Sequence, residues 1–523
     1  MTNGGVQPPA PVDQQDAAPV ARIHHVSKRF GGTLALDDVS FDIARGRVHA
    51  LLGGNGSGKS TLIKILAGVF HGERGGSIEV GGQTVHVESV NPSLARSLGF
   101  RFVHQHPAVF GDLTVSENLA IGHGYPTGPL ARIRWRDLRT RTDELMAKYH
   151  VNASSRSLVG DLRPADRTMV AIARALQGHD EFSEAILVLD EPTSALPDEE
   201  VRLLMDNIRR LSAAGQTIIY VSHRLDEIIE IADDVTVLRD GRHVVTRPAA
   251  GLDEAQLIEL IAGRSVETMF PPTHDVEAGD RALEVSGLAG GPLVDVSFAV
   301  ERGEVLGIAG LLGSGRTELL MTLFGALPRA AGQVLLDGKP ADFDHPADAI
   351  AAGVAYVPED RAGQAAFPDL SVANNYCAAS IRRYFRFPWI RRDRERADTT
   401  SAIDRFRIRS AGDLVPISTL SGGNQQKVIV GRWFATEPRV LLLDEPTQGV
   451  DVGARADIYS FVREVVAGGV SVVLVTSDFE ELIRVADRII VLCDGRVSGE
   501  LRGTEMTAAR CTELSYRVRE GIS

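Results

Sequence analysis

The sequence predicts an α/β protein in which one domain, built on a mainly parallel sheet, occurs twice. Two glycine-rich loops of equal length lie about half a chain apart: Gly53-Gly54-Asn55-Gly56-Ser57-Gly58-Lys59-Ser60 and Gly310-Leu311-Leu312-Gly313-Ser314-Gly315-Arg316-Thr317. Each follows a nearly all-apolar run, residues 48–52 and 305–309. A second apolar run in each half, residues 185–189 and 440–443, leads into Asp-Glu-Pro-Thr. Short runs that are apolar at successive positions are strands covered on both faces, as in a parallel sheet flanked by helices.

The repeat extends well beyond the loops. Residues 35–43 (ALDDVSFDI) match 292–300 (PLVDVSFAV), 188–194 (VLDEPTS) match 442–448 (LLDEPTQ), and 232–241 (ADDVTVLRDG) match 486–495 (ADRIIVLCDG). Partners stay about 255 residues apart throughout, so the chain is a tandem duplication. The join falls in the polar stretch 269–280, whose Pro271 and Pro272 cannot continue a helix. The expected organisation is a tail over residues 1–20, a first domain over 21–266, a linker over 267–279 and a second domain over 280–523. Between the loop and the paired acids of each half lie helix-rich stretches, roughly 114–178 and 371–437, long enough for an inserted helical subdomain.

A chain of 523 residues is too long for one core, which fits two domains. The formal net charge of −13 argues against non-specific binding to nucleic acid or anionic lipid by the surface as a whole. Cys377, Cys493 and Cys511 are far apart and have no C-x-x-C spacing, so they are read as packing residues and not as zinc ligands or disulfides. The Pro-, Ala- and Gln-rich N-terminus has no apolar core of a signal sequence and reads as a disordered tail. No run approaches the length that spans a bilayer, so a membrane role is expected to come through a partner, with no direct insertion.

The chemistry concentrates around the first loop. A G-x-x-x-x-G-K-[ST] loop aims successive backbone N–H groups at phosphate oxygens, adds the Lys59 charge and offers the Ser60 hydroxyl to Mg²⁺; Thr61 follows it. Asp190 ends an apolar strand, where a carboxylate reaches Mg²⁺ through water, and Glu191 can polarise a water for attack on a γ-phosphate. In the second half, Leu420-Ser421-Gly422-Gly423-Asn424-Gln425-Gln426-Lys427 joins a hydroxyl and two glycines to a helix expected over 425–434. Backbone N–H groups at a helix N-terminus bind anions, and glycines permit close approach.

That last segment resembles the signature motif of ATP-binding cassettes. The resemblance implies two P-loop NTPase domains, each with a mainly parallel sheet, an antiparallel β portion and an inserted helical subdomain, sandwiching ATP head to tail. Within it, Phe30 matches the aromatic that stacks on adenine, although composition leaves an ordinary core phenylalanine equally open. Gln105 matches the glutamine that contacts Mg²⁺ and the attacking water, and His223 the switch histidine that hydrogen-bonds the γ-phosphate. The implied nucleotide site comprises Gly53 to Thr61 with Ser421, Gly422, Gly423 and Gln425, the metal set Ser60, Gln105 and Asp190, and the catalytic set Glu191, His223 and Gln105; ATP and Mg²⁺ are the implied cofactors.

At the same positions the second half has Arg316 for the lysine, Glu359 for the glutamine and Ser477 for the histidine, keeping Asp444 and Glu445. Arginine is bulkier and forked, so its fit in a tight loop is in question. The signature that would complete this site aligns as Leu162-Arg163-Pro164-Ala165-Asp166, with the serine and both glycines gone. A plainer reading is that Arg163-Pro164 opens a helix, since proline suits the first turn. All the defects fall in one implied site, which leaves one competent site per chain.

Tandem cassettes with Gly313-Ser314-Gly315-Arg316-Thr317, Glu359-Asp360-Arg361 and Leu420 to Lys427 resemble the ATPase subunits of ribose, xylose and galactose-type sugar importers over residues 23–504. The resemblance implies an energy-coupling ATPase at the cytoplasmic face of the membrane, held there by two permease subunits and, through them, serving a solute-binding protein, with no nucleic-acid partner. Residues 106–117 and 360–374 are either permease-docking grooves or plain surface loops. Importers of nucleosides, polyols or signalling sugars share this architecture. A tandem-cassette translation factor is the rival class, but it would have two intact sites and a long charged linker.

Overall fold

The computed structural model describes residues 19–30, 33–104, 107–178, 185–194, 196–222, 224–263 and 279–516. Gln105, His223, the tail 1–18 and the join 264–278 lie outside the described residues. The chain separates into two units, Met1–Gly263 and Arg264–Ser523.

In the first unit a six-stranded sheet runs in the order Arg242–Pro248, Asp234–Arg239, Val48–Leu52, Thr217–Val221, Ile186–Asp190, Phe100–Val103. All neighbours are parallel except the edge pair Arg242–Pro248 with Asp234–Arg239. A four-stranded antiparallel sheet, Thr33–Ile43, Ala21–Phe30, Ser77–Val80 and Gln83–His86, lies beside it. Ile23, Leu36 and Ile78 of the antiparallel sheet share one core with Leu51, Val188 and Ile219 of the parallel sheet and with Leu62 and Ile63 of the helix after the loop.

The second unit repeats the plan. Its six-stranded order is Val354–Val357, Val440–Asp444, Ser471–Val475, Val305–Gly310, Arg488–Cys493, Arg496–Arg502. The strand Val305–Gly310 shows why its sequence is uniformly apolar. Leu306 and Ile308 belong to one buried cluster and Val305 and Ala309 to another, so alternate side chains fill the cores on opposite faces. The α/β class, the mixed sheets and the duplication are as the sequence predicts.

The inserted helical segments also form. In the first unit they are Val115–Ala120, Trp135–Lys148 and Pro164–Leu176; in the second, Val372–Cys377, Arg392–Arg405 and Gly422–Phe434. One expectation is corrected here. The helix expected from Gln425 begins at Gly422, with Ser421 in the cap position, so both glycines are helical. Gly423 is required by packing, since a Cβ there would stand 2.5 Å from the Ala454 Cβ, whereas one at Gly422 would meet only the guanidinium of Arg361 at 3.0 Å. The three cysteines are buried and free, as packing residues should be.

His49 is the exception to the apolar strand rule. It is buried, its Nε2 lies 2.8 Å from Thr236 Oγ1, and its ring stacks on Phe41 at 5.5 Å. Burial, with Arg47 and His243 adding to it, pushes the imidazole down to about 4, so at neutral pH it behaves as an uncharged core ring.

Candidate nucleotide site

The two glycine-rich loops have the same backbone despite their different chemistry. Gly53, Gly56 and Gly58 have φ of 149°, 80° and 101°, and Gly310, Gly313 and Gly315 have 157°, 80° and 100°. A Cβ on Gly53 would lie 2.2 Å from Leu238 O, and one on Gly310 would lie 2.5 Å from Leu492 O. The neighbouring strand therefore enforces glycine at the start of both loops, and each loop feeds a helix, Lys59–Leu66 and Arg316–Leu323.

What differs is where the cation goes. Lys59 folds over its own loop, donating to Gly53 O at 2.5 Å and Gly54 O at 3.1 Å. Ser60 and Asn55 are exposed and Thr61 is half-buried beside it. Arg316 instead leaves the loop. Its Nη1 donates to Thr476 O at 2.8 Å and its Nη2 stands 3.7 Å from Glu445 Oε1, with both side chains buried. The doubt about fitting arginine in the loop is resolved this way: the loop is unchanged because the longer side chain anchors elsewhere.

The acids differ in the same sense. Asp190 is half-exposed, and burial with Glu191 beside it raises its carboxyl, against the pull of His104 and the two lysines Lys59 and Lys64. Asp444 is sealed: it is fully buried and accepts a 3.1 Å hydrogen bond from Tyr356, where the first cassette has Phe102. Burial pushes Asp444 up to about 6, and it does the same to Glu445. Glu445 accepts from Ser477 Oγ at 3.2 Å, and exposed Glu359 accepts from Gln448 Nε2 at 3.2 Å. Both glutamates, Glu191 and Glu445, sit in left-handed backbone with φ of 49° and 46°, a conformation that recurs where a side chain must be aimed at chemistry.

A pH dependence follows from the sealed acid. A carboxyl raised in the folded state favours folding fully below its unfolded value, 3.8 for Asp444, and loses that contribution as pH rises through about 6. Asp444→Asn should therefore stabilise the second cassette at pH 8 by roughly 2 kcal/mol relative to wild type, an advantage that vanishes near pH 4. Thermal unfolding of both proteins across that range checks the sign.

The signature helices complete the inventory. In the second cassette Ser421 Oγ accepts from Asn424 Nδ2 at 2.8 Å, Gln425 Nε2 donates to Leu420 O, and no side chain caps the helix N-terminus. Arg361, of Glu359-Asp360-Arg361, donates to Gly422 O at 3.2 Å and so fixes this terminus to the segment after Val357. In the first cassette Pro164 opens the helix as the plainer sequence reading expects. Here Ala165 N donates to Glu200 Oε2 at 3.1 Å, so a carboxylate of the chain itself occupies the helix start. Asp166 lies beside it, its carboxyl raised by burial and by Glu200 against the pull of Arg163.

Sequence reasoning missed Glu200, Tyr356 and the Arg316 anchor points. Only Tyr356 carried a local signal, as a polar ring in an otherwise apolar strand. Phe30 ends its strand 43% exposed, edge-on to Phe70 at 5.2 Å, which places it at the surface and not in the core. The structure brings Gly53 to Thr61, Asp190 and Glu191 to the ends of two parallel strands of one sheet, Val48–Leu52 and Ile186–Asp190, with Thr217–Val221 between them, while Gln105 and His223 are outside the described residues.

A groove of about 580 Å³ lies in the first cassette between the sheet edge and the helical segment, lined by Arg96, Arg101, Phe102, His104, Phe110 and Arg174 among others. Arg174 donates to Ala108 O at 2.6 Å. At the positions matching Ala67 and Ala175 of this groove, the second cassette has Phe324 and Trp433, whose rings meet at 5.9 Å.

The sequence profile of a family described as ABC transporter matches residues 36–194 and 293–448. A Burkholderia ambifaria protein is 41% identical over 95% of this chain and 97% of its own length, and bears the name of a ribose/galactose/methyl galactoside import ATP-binding protein. A similarly named protein of Agrobacterium fabrum is 41% identical over 95% of this chain and 98% of its own. A Rubrobacter xylanophilus protein named as a ribose import ATP-binding protein is 40% identical over 96% of this chain and 95% of its own.

Proposed function

The chain belongs to the ABC transporter family as a tandem-cassette ATPase, and from that premise we propose that it powers an importer for a monosaccharide of the pentose or hexose class. The observation that carries the sugar reading is its 40–41% identity, over nearly the full length of both chains, to proteins named for ribose and galactose import. Two membrane permease subunits and a solute-binding protein are the partners in this reading, and the cytoplasmic face of the membrane its location. Among the described residues no helix is long and apolar enough to cross a membrane. The groove beside Arg101 and Arg174 supports a docked partner on the first cassette.

We further propose one competent nucleotide site per chain. Lys59 and the N–H groups of Gly53 to Ser60 hold the phosphates, Phe30 stacks on the base, and Glu191 accepts a proton from the attacking water. His223 and Gln105 orient the γ-phosphate and that water, and Ser421, Gly422, Gly423 and Gln425 complete the site. Exposed Ser60 and half-exposed Asp190 are a hard-oxygen donor pair that suits Mg²⁺, with Gln105 as third member. When bound, Mg²⁺ supplies charge neutralisation at the phosphates.

Three observations within the units support a weak second site. Arg316 is committed to Thr476 and Glu445, Asp444 is sealed under Tyr356, and Glu200 already caps the first signature helix. Glu445→Gln should accordingly leave ATP turnover within about threefold of wild type. An equal loss to that of Glu191→Gln would reject the asymmetry.

Transport itself tests the substrate. Reconstituted in proteoliposomes with its permease subunits and binding protein, the chain should drive ATP-dependent uptake of labelled ribose or galactose. Uptake of a nucleoside or polyol and of neither sugar would reject the monosaccharide reading.

A further inference from the structure

The three most exposed aromatic side chains among the described residues of the second cassette cluster in one hairpin, outside the nucleotide machinery. Two short strands, Phe385–Arg386 and Trp389–Ile390, pair as a hairpin that enters the helix Arg392–Arg405. Phe387 is 85% exposed, Trp389 76% and Phe385 53%. Phe385 and Phe387 meet edge to face at 6.4 Å, away from any core. A soluble protein has little reason to hold three aromatic rings in water unless something covers them.

The charge around these rings is predominantly positive. Residues 381–396 contain seven arginines against Asp393 and Glu395. Arg383, Arg392 and Arg396 are engaged by Glu437, Glu395 and Asp413. Arg382 and Arg386 have no ion-pair partner among the described residues, and Arg386 stands directly across the hairpin from Trp389. In a chain of net charge −13 this patch is a local reversal.

The first cassette has the same chemistry at the same place. Between its helices Val115–Ala120 and Trp135–Lys148, Thr127 bridges to Ile133 around a tip bearing Leu130, which is 90% exposed. Arg132, Arg134 and Arg136 follow it in the chain, Arg134 paired with Asp137, and Trp135 lies half in solvent against Tyr125. The two hairpins share composition and position but not sequence: a Leu-Ile tip in one, a Phe-Pro-Trp tip in the other.

That combination selects the partner class. A protein surface reads the shape and order of side chains, whereas a lipid surface reads only apolar area, interfacial aromatics and positive charge. We propose that the hairpin at residues 385–390 is a membrane-surface contact, in which Phe387 and Trp389 enter the headgroup layer of an anionic leaflet and Arg382 and Arg386 pair with its phosphates. Contact of this kind lies on the bilayer without spanning it and is independent of permease docking.

The test uses the full chain and protein-free vesicles. Flotation should show binding to phosphatidylcholine vesicles containing phosphatidylglycerol, loss of binding in phosphatidylcholine alone, and weakening with added salt. Replacing both Arg382 and Arg386 by Ser should lower partitioning about 30-fold, since each arginine near an anionic surface is worth about fivefold. Phe387→Ser with Trp389→Ser should abolish it, and brominated lipid should quench tryptophan emission less in Trp389→Phe than in wild type. Every substitution is at an exposed position, so unchanged soluble ATP hydrolysis verifies the fold. Equal binding by wild type and both double variants would overturn the proposal, as would binding only to vesicles that contain permease. Either result leaves the importer reading intact.

Discussion

Glu191→Gln should lower steady-state ATP hydrolysis by about 10²- to 10⁴-fold and leave ATP bound, because in the proposed site it removes the base and keeps the shape. The expectation rests on where the backbone puts this side chain. Glu191 N donates to Val221 O at 2.8 Å, and the left-handed φ at Glu191 turns the chain just past the strand Ile186–Asp190. Glutamine is isosteric and can hold that geometry, so phosphate binding through Lys59 and the loop should survive. Nucleotide retained after rapid desalting, set against phosphate release, measures the two properties separately. Loss of binding together with turnover would show that Glu191 holds the loop and is not the base.

Arg432→Ala should destabilise the second cassette on the order of 3 kcal/mol. Its guanidinium is buried, donates to Asn375 O and Ala365 O at 2.6 Å each and to Asn375 Oδ1 at 3.0 Å, and stands over the Phe367 ring. Burial lowers its pKa to about 10, yet the ion is kept for these acceptors. Truncation leaves two buried carbonyls without their charged donor and opens a void beside Phe367. A chemical-denaturation midpoint that moves by less than a third of this would mean that water replaces the guanidinium. The matching Arg174→Ala in the first cassette should cost much less, because half-buried Arg174 makes one hydrogen bond among the described residues, to Ala108 O.

The contrast between these arginines marks what the sequence can disclose. The loops, the sheet strands and the Asp-Glu pairs were legible because each is fixed by local backbone needs: glycine against Leu238 O and Leu492 O, and apolar residues on both faces of a central strand. The start of the signature helix was misplaced because two glycines read as loop, whereas here they are helical and Gly423 permits close contact with Ala454. The anchoring of Arg316, the seal on Asp444 and the cap on Ala165 were illegible for a common reason. Each joins residues 35 to 160 positions apart, and no local pattern encodes such a meeting.

The contact between Glu200 and Ala165 bears on how such a domain could regain what it has lost. Writing Ser-Gly-Gly back into residues 163–165 would recreate the motif on paper, yet the amide meant for a phosphate would still face Glu200. The second cassette shows the compatible arrangement, with the small Ala454 at the position matching Glu200, beside Gly423. Reversion therefore needs changes on two helices at once, and each change alone brings no benefit. Under the proposed asymmetry, a lineage that lost the first signature through single substitutions would need paired changes to restore it, which makes that loss a ratchet.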